Sequence, residues 1–500
     1  MLDIIAKVNG FLNNIVWGWP ALILLAFVGV LTTVLTKFFQ VSHFGHWMKQ
    51  TIGAIFRDSK VTSHTEDRSI SQFQSLCTAL AATVGTGNIV GVAGAILVGG
   101  PGAVFWMWLI AFFGTMTNYS ENVLGIYYRR KNEQGEWCGG AMYYLRDGLG
   151  AKKGCKTIGK VLAALFSVFC FLASFGIGNM TQVNSIAGNM EAVFGLPTWV
   201  SGIVVLILCA LVIVGGLKRI ATVTEKIVPF MVVIYMIGTI AILIMNIKMV
   251  PAVFAAIFKG AFAFKAAGGG IVGYGMKLAI EQGMKRGVFS NEAGLGSSVM
   301  VHSNSNVKEP VRQGMWGIFE VFADTMIVCT LTAFTVLSSG LIDLETGVAA
   351  AEYGGVALTK ANVVSTVFSM HFGWIGGAFV AIAIMLFAYS TVLGWSHYGS
   401  KACEYLFGTK STIVYRVIFV IATFGGAVMG ENLAWDIADT LNGMMMIPNL
   451  IGVVVLSPLV YKITKNYVNR KIKNEKMEPM LSNFDDIQKE AAEAVLNGAE

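Results

Sequence analysis

Charged side chains are scarce in this sequence: Asp, Glu, Lys and Arg make up 13% of its 500 residues, against about 25% in ordinary soluble domains. Proline is also rare, with nine residues, whereas 55% of the chain is hydrophobic. Seven stretches longer than about 20 residues, the length of one bilayer crossing, carry no charge at all. The composition excludes a soluble enzyme and predicts an all-α polytopic membrane protein, because barrel strands would alternate polar and apolar residues.

Motifs for metal, nucleotide and thiol chemistry are missing as well. The six histidines form no HExxH motif, and no P-loop is present to energise a pump. These absences predict a protein that is not an enzyme and that needs no cofactor. The seven cysteines form no CxxC pair and are interpreted as small apolar residues; they are Cys77, Cys138, Cys155, Cys170, Cys209, Cys329 and Cys403.

The apolar runs predict about eleven crossings: 15–38, 72–98, 103–127, 158–192, 198–217, 224–246, 250–284, 311–338, 373–404, 413–429 and 432–464. With the N-terminus outside and the C-terminus in the cytoplasm, all but five of the 36 Lys and Arg residues lie inside, as the positive-inside rule requires. The same asymmetry explains the net charge of +7 without nucleic-acid binding. The five outside are Lys7, Lys248, Lys259, Lys265 and Lys360.

Two of the predicted crossings are interrupted by poor helix formers. The first contains Val84-Gly85-Thr86-Gly87-Asn88, and the second contains the glycine-rich stretch 266–275. Irregular backbone at membrane depth is tolerated only inside protein or beside a cavity. A pair of interrupted segments in corresponding halves indicates the binding site of a secondary transporter, although close helix packing also favours glycine.

Setting the first crossing aside leaves ten, which divide into five plus five and begin with the two interrupted helices. Because five is odd, the halves have opposite orientation, as in an inverted repeat. The predicted organisation is an extra N-terminal helix and loop in 1–71, a first repeat in 72–246, a second in 247–465, and a charged cytoplasmic tail in 466–500.

Four sequence blocks resemble the alanine or glycine:cation symporter family over roughly residues 10–465. They are 99–114 (GGPGAVFWMWLIAFFG), 38–44 (FFQVSHF), 82–88 (ATVGTGN) and 286–296 (RGVFSNEAGLG). One departure is Asn118, where the family commonly has lysine. The resemblance implies a leucine-transporter-type inverted-repeat fold in a prokaryotic-type plasma membrane. It also implies sodium-coupled import of alanine or glycine.

Two kinds of alternative stay open at this stage. Within transport, the coupling ion could be a proton, or the substrate another small neutral amino acid. In another class, the protein could be a non-transporting sensor or a channel. A channel needs a continuous wet pore, and a sensor needs an effector domain, so paired interruptions favour transport.

The first interruption provides the predicted substrate site. Unwinding exposes amides at the positive end of a half-helix, and these suit a carboxylate. Gln182 and Gly178 share one helix face, and Thr391 and Trp395 share another; by resemblance the glutamine and the tryptophan bound the pocket, although Trp395 could be an ordinary core residue. The predicted substrate-binding residues are Thr86, Gly87, Gly178, Gln182, Gly268, Gly269, Gly270, Thr391 and Trp395.

The predicted sodium ligands come from the resemblance to the wider fold. They are the carbonyls of Ala81, Val84 and Phe387 and the hydroxyls of Ser390 and Thr391. Oxygen ligands of this kind suit a hard cation, but both hydroxyls could instead bond back to their own helix. Thr83 and Asn88 form a second candidate site for sodium or the substrate amine.

Acidic residues within predicted crossings are functional candidates by default because burial of charge in a membrane is costly. Glu320 and Asp324 lie four residues apart, with Glu281 and Glu292 on or beside the seventh crossing. They could line the inner pathway or tune cation coupling. They could also pair with Arg286 or Arg312, and a structural salt-bridge network is the favoured interpretation.

Overall fold

The computed structural model describes residues 2–64, 68–262 and 274–496. In these ranges seven helices are long and apolar enough to cross a membrane, and an eighth span is a helix pair bent by 50°. The all-helical polytopic class predicted from composition is confirmed. The count of eleven crossings and the inverted repeat stay predictions, because the remaining predicted crossings are not among the helices that are both long and apolar enough.

The N-terminal region folds back on the end of the chain. Asn13 Nδ2 donates to Thr440 Oγ1 at 3.0 Å, and Trp17 Nε1 donates to the Asp439 carbonyl at 2.9 Å. The helix begins before the predicted crossing 15–38 and is interrupted at Trp17–Gly18. The elements are α1 (Leu2–Val16), α2 (Trp19–Leu35), α3 (Phe39–Ser42), α4 (Phe44–Gln50), α5 (Ile52–Ile55) and α6 (Ser59–Thr62).

The next helices begin with a capping box, in which the Ser71 and Gln74 side chains satisfy each other's backbone amides. They are α7 (Gln72–Thr83), α8 (Val92–Gly99), α9 (Gly102–Tyr127), α10 (Ala141–Tyr143), α11 (Lys156–Phe175), α12 (Thr181–Phe194), α13 (Thr198–Ile213) and α14 (Gly216–Met245). Strands β1 (Arg130–Lys131) and β2 (Trp137–Cys138) pair antiparallel after α9. π-helical turns cover Gly87–Gly91, Tyr144–Leu149 and Gly176–Met180.

The remaining elements follow a short 3₁₀ turn at Ile247–Met249. The helices are α15 (Val250–Ala261), α16 (Tyr274–Asn291), α17 (Val299–His302), α18 (Pro310–Val321), α19 (Thr330–Leu337), α20 (Val363–Phe372), α21 (Trp374–Phe407), α22 (Ser411–Val428), α23 (Glu431–Tyr467) and α24 (Asp485–Leu496). Strands β3 (Glu352–Tyr353) and β4 (Val356–Ala357) form an antiparallel hairpin. π-helical turns cover Phe322–Cys329 and Val468–Ile472.

A second interruption follows α16, at residues 292–298, separate from the predicted stretch 266–275. The predicted stretch 266–275 falls mostly outside the described residues, and α16 continues to Asn291, past the predicted end of the crossing at 284. The helix stops there because Glu292, Gly294 and Gly296 have φ values of 57°, 93° and 73°, which are left-handed and incompatible with a helix. The short helix α17 then follows.

Burial separates an inner group of helices from an outer one. Most side chains of α7 and α9 are buried, including polar ones such as Asn118 and Glu121. In α13, α14 and α22 large apolar side chains are exposed, among them Leu211, Ile237 and Ile421. A helix that exposes an apolar stripe and buries its other face suits contact with lipid. The polar residues are therefore collected in the interior.

Candidate functional site

The interruption between α7 and α8 is held open by its own asparagine. Asn88 Oδ1 accepts a hydrogen bond from the Gly85 amide at 2.9 Å, and Val84 leaves α7 with φ −79° and ψ 85°. The carbonyls at the end of α7 and the amides at the start of the following turn therefore meet at one place. A single interruption thus offers carbonyl oxygens to a cation and N–H groups to an anion.

Four of the predicted sodium ligands come together at this interruption. Thr391 Oγ1 lies 3.1 Å from the Ala81 carbonyl and 3.0 Å from the Phe387 carbonyl. Ser390 Oγ lies 2.8 Å from the Phe387 carbonyl and 3.4 Å from that of Ala81. Both hydroxyls thus bond back to a carbonyl of their own helix and also lie within reach of a carbonyl of α7, while their role as sodium ligands stays a prediction.

The predicted substrate residues Thr86 and Gln182 are also in contact. Thr86 Oγ1 donates to Gln182 Oε1 at 3.1 Å, and Gln182 Nε2 donates to the Ile177 carbonyl at 3.0 Å. That carbonyl belongs to the π-helical turn Gly176–Met180, where the helical bonding pattern is irregular and a carbonyl is available. The glutamine amide is therefore fixed from one side and points its oxygen at the interruption.

Trp395 and Gly178 face each other directly. A Cβ atom on Gly178 would overlap the Trp395 side chain, so only glycine permits this approach of α21 to the turn after α11. Trp395 Nε1 donates to Glu292 Oε1 at 2.8 Å, and Ser297 Oγ donates to Glu292 Oε2 at 2.5 Å. The tryptophan is thus oriented by a carboxylate of the second interruption.

The second interrupted helix brings residues that the sequence did not single out. A Cβ on Gly87 would lie 3.3 Å from Phe289 Cδ1 and 3.5 Å from Ser290 Cα. Phe289 and Ser290 therefore lie opposite the first interruption, whereas Gly268, Gly269 and Gly270 are outside the described residues. The sequence feature that could have identified these residues is the pair Gly294 and Gly296. Both glycines follow Asn291 within the block 286–296.

Asp324 joins both interruptions through neutral donors. Asn88 Nδ2 donates to Asp324 Oδ1 at 2.6 Å, and Ser290 Oγ and Thr325 Oγ1 both donate to Oδ2 at 2.8 Å. Thr83 and Asn88, which form the second candidate cation site, have different partners. Asn88 contacts this carboxylate, whereas the Thr83 hydroxyl bonds back to the Ala79 carbonyl at 3.3 Å. The rule that intramembrane acids are functional candidates is what identified Asp324.

Among the described residues, Glu320 and Asp324 form no ion pair with Arg286 or Arg312, which was one of the options from the sequence. Arg312 pairs with Asp58 at 3.1 Å, and Glu320 pairs with His302 at 2.9 Å. The guanidinium of Arg286 lies 5.3 Å from the centre of the Phe289 ring. Glu320 and Asp324 are both completely buried.

A small cavity lies on the outer side of the first interruption. Its volume is about 30 Å³, and Thr86, Gly87, Phe289, Arg286 and Lys360 line it together with apolar and glycine residues of the turn and α8. Among the described residues, no group of three or more His, Cys, Asp or Glu side chains could hold a metal ion. A cation here would therefore rely on carbonyl and hydroxyl oxygens.

Comparison of the sequence with known proteins places this chain in a family. The model of the sodium:alanine symporter family matches residues 2–482. A sodium/alanine symporter, AgcS, of Methanococcus maripaludis is 44% identical over 95% of this chain and 99% of its own length.

Other relatives and one solved structure are more distant. Two Bacillus subtilis proteins, a putative sodium/proton-dependent alanine carrier, YrbD, and a probable sodium/glutamine symporter, GlnT, are 35% and 36% identical. Each alignment covers 94% of this chain, with 93% of YrbD and 92% of GlnT. A solved manganese transporter of Eremococcus coleocola, in a mutant form, covers 88% of each chain at 11% identity with a TM-score of 0.47, too low to carry an argument.

Proposed function

Because the chain belongs to the sodium:alanine symporter family, we propose that this multi-pass membrane transporter imports alanine or glycine together with sodium by alternating access. The relative from Methanococcus maripaludis that is named a sodium/alanine symporter supports this substrate and this ion. In the proposed arrangement α7–α8 and α16–α17 open the two inverted halves, and the N-terminus is outside.

The observation that carries the proposal is the convergence of oxygen atoms between α7 and α21. The carbonyls of Ala81 and Phe387 and the hydroxyls of Ser390 and Thr391 lie within 3.4 Å of one another in the pairs given above. A neutral, all-oxygen set fits a hard monovalent cation. The Val84 carbonyl, at the non-helical end of α7, would complete the set.

The substrate would bind between the two interruptions. Its carboxylate would meet the amides of Thr86 and Gly87 at the positive end of the outer half-helix. Its ammonium group would meet the unpaired carbonyls at the C-terminal end of α16, beside Ser290. Gly268, Gly269 and Gly270, which lie outside the described residues, stay proposed partners of the ammonium group beside these carbonyls.

The same geometry supports a small side chain on the substrate. Trp395 and Gly178 are in direct contact, and Phe289 covers Gly87 from the opposite side. These close contacts leave room for no more than a hydrogen or a methyl group on the proposed substrate. The Bacillus subtilis relative named as a glutamine symporter makes this size limit the point that needs testing.

The test is uptake of labelled alanine into proteoliposomes under an imposed inward gradient of sodium, potassium or protons. We expect accumulation with sodium only, with competition by glycine and none by leucine or glutamine. Accumulation under a proton gradient without sodium would contradict the assignment of Ser390 and Thr391. Glutamine uptake as fast as alanine uptake would contradict the small pocket.

A further inference from the structure

A completely buried histidine–carboxylate pair lies apart from the proposed sodium and substrate sites. His302 is the last residue of α17, and its Nε2 atom lies 2.9 Å from Glu320 Oε2 on α18. Both side chains are 0% exposed. A carboxylate beside an imidazole can hold one proton more or one fewer without any change of fold, which makes this pair a candidate proton site.

The other side of the imidazole is arranged for two protonation states. His302 Nδ1 lies 2.5 Å from Gln313 Nε2 and 3.3 Å from Ser75 Oγ. In this arrangement Nδ1 accepts, so the ring carries its proton on Nε2 and donates to Glu320. Gln313 Oε1 is buried and has no partner among the described residues. Rotation of this amide by half a turn would present Oε1 to a protonated Nδ1.

Glu320 itself has one oxygen without a donor. His302 Nε2 and Asn118 Nδ2, at 3.2 Å, both bond Oε2, whereas Oε1 is buried and unpartnered within the described residues. On the facing helix α9, Asn122 Oδ1 is also buried without a partner there. A proton on Glu320 Oε1 would turn this unpartnered acceptor into a hydrogen-bond donor. The unpartnered oxygen atoms of this cluster are therefore compatible with an added proton.

Other ionisable groups surround the pair. The carboxyl groups of Glu121, Glu292 and Asp324 all interact electrostatically with Glu320, as does the Tyr398 hydroxyl. The cation on the far side is Arg129, whose guanidinium bonds the carbonyls of Ser303 and Ser305 just after His302. Several carboxylates in a medium of low dielectric repel one another, and a bound proton reduces that repulsion.

We propose that Glu320 and His302 form a proton-binding site that is loaded and unloaded once in each transport cycle. The site joins Ser75 of α7 to His302 of α17, the inner halves of the two interrupted helices. Alternating access moves such halves relative to the scaffold, so the contact with Glu320 on α18 would be made and broken. The proton would be taken from water on one side and released to water on the other.

This inference rests on the proposed symport, and its test keeps the two apart. Purified protein in proteoliposomes enclosing a pH-sensitive dye is supplied with sodium and alanine, while labelled alanine is counted in parallel. We expect the dye to report a change of internal pH, upward or downward, only when both sodium and alanine are present. We also expect the rate of sodium-driven uptake to depend on pH.

The variants Glu320→Gln and His302→Gln should lose the dye response and flatten the pH profile. The matched control is His397→Gln, because His397 is also buried but its side chain contacts the amide of Asn304 at 3.4 Å. Should Glu320→Gln fail to fold, the wild-type dye response and His302→Gln decide the matter.

Three results would overturn the proton site. The first is wild-type uptake driven by sodium with no dye response and no dependence on pH. The second is a dye response unchanged in His302→Gln. The third is a silent dye with altered sodium cooperativity in Glu320→Gln, which would indicate a metal cation there instead. Absence of any sodium-driven alanine uptake would instead contradict the proposed symport.

Discussion

Trp395 is the residue on which the proposed size limit depends. Its indole N–H is held by Glu292, and its ring is 1% exposed and lies against Gly178. A large, rigid ring with a fixed hydrogen bond sets a firm wall. The structure therefore supports a selective role more strongly than the ordinary core role that the sequence left open.

Trp395→Ala should widen the substrate range toward larger amino acids. Removal of a buried tryptophan costs about 3–5 kcal/mol of stability, so folded protein must be measured first by thermal unfolding. Competition of labelled alanine uptake by leucine and glutamine is then the readout. The control is Trp316→Ala, which removes an equally buried ring with its own hydrogen bond to Gln72. A selectivity profile that is the same in both variants would contradict the wall.

Thr391→Val should weaken sodium activation while it keeps the shape of the side chain. Loss of the Thr391 hydroxyl, one of the proposed oxygen ligands beside the Ala81 carbonyl, should raise the half-activating sodium concentration roughly tenfold, equivalent to about 1.4 kcal/mol. Initial uptake rates at varied sodium measure this effect. Thr423→Val is the matched control, because Thr423 is buried and its hydroxyl bonds the carbonyl of Val420 in its own helix. Equal sodium activation in both variants would exclude Thr391 as a ligand.

At the scale of elements, α7 and α21 approach each other through glycine. A Cβ on Gly394 would lie 2.7 Å from Ala82 Cβ and 2.9 Å from its backbone nitrogen. Small residues permit such contacts between membrane helices. The contact lies one turn from Thr391 and beside Ala81, so the same packing that joins the helices also brings the oxygen ligands together.

Gly394→Ala should separate the two helices and reduce uptake and stability together. Overpacking of this kind costs about 1–3 kcal/mol, and the half-activating sodium concentration should rise as Ala81 moves from Thr391. Thermal unfolding and sodium-dependent uptake check both effects. Gly425→Ala is the control, because the nearest atom to its Cβ is Met180 Cε at 3.8 Å. Wild-type sodium activation in Gly394→Ala would show that the close approach is not needed.

At the scale of the whole molecule, charge and burial agree on the orientation that we propose. Exposed apolar faces lie on the outer helices, whereas the tail helix α24 meets basic residues after α9 and α17. Glu490 lies 3.8 Å from Lys131 and 3.9 Å from Lys308. Because these lysine-bearing loops and the tail meet on one side, we propose from the positive-inside rule that this side faces the cytoplasm.

Cysteine labelling tests this orientation. In a background with Cys155 replaced by serine, Thr346→Cys and Lys476→Cys introduce thiols at exposed positions. A membrane-impermeant maleimide should label Thr346→Cys on intact cells and Lys476→Cys only after permeabilisation. The reverse pattern would invert the whole layout, and labelling of both positions on intact cells would place an even number of crossings between them.

The first interruption and the membrane class were predictable because both depend on local chemistry. Two glycines flank Thr86, and Asn88 is close enough in the chain to cap Gly85, so residues 84–88 contain the information for their own conformation. The predicted interruption at 266–275 stays a prediction, whereas the break after Asn291 was not predicted because 292–298 includes good helix formers such as Glu292 and Leu295. Left-handed φ values at Glu292 and Gly294 come from the packing around them.

The sequence by itself determined that the chain is a helical membrane protein with an interrupted helix at 84–88, since hydropathy and backbone propensity act over a few residues. It also identified Asp324 and Glu320 as unusual, because charge within a membrane is costly. Only the tertiary structure decided their partners. Asn88 and Asp324 are 236 positions apart, and their contact depends on how several helices pack, which no local pattern encodes.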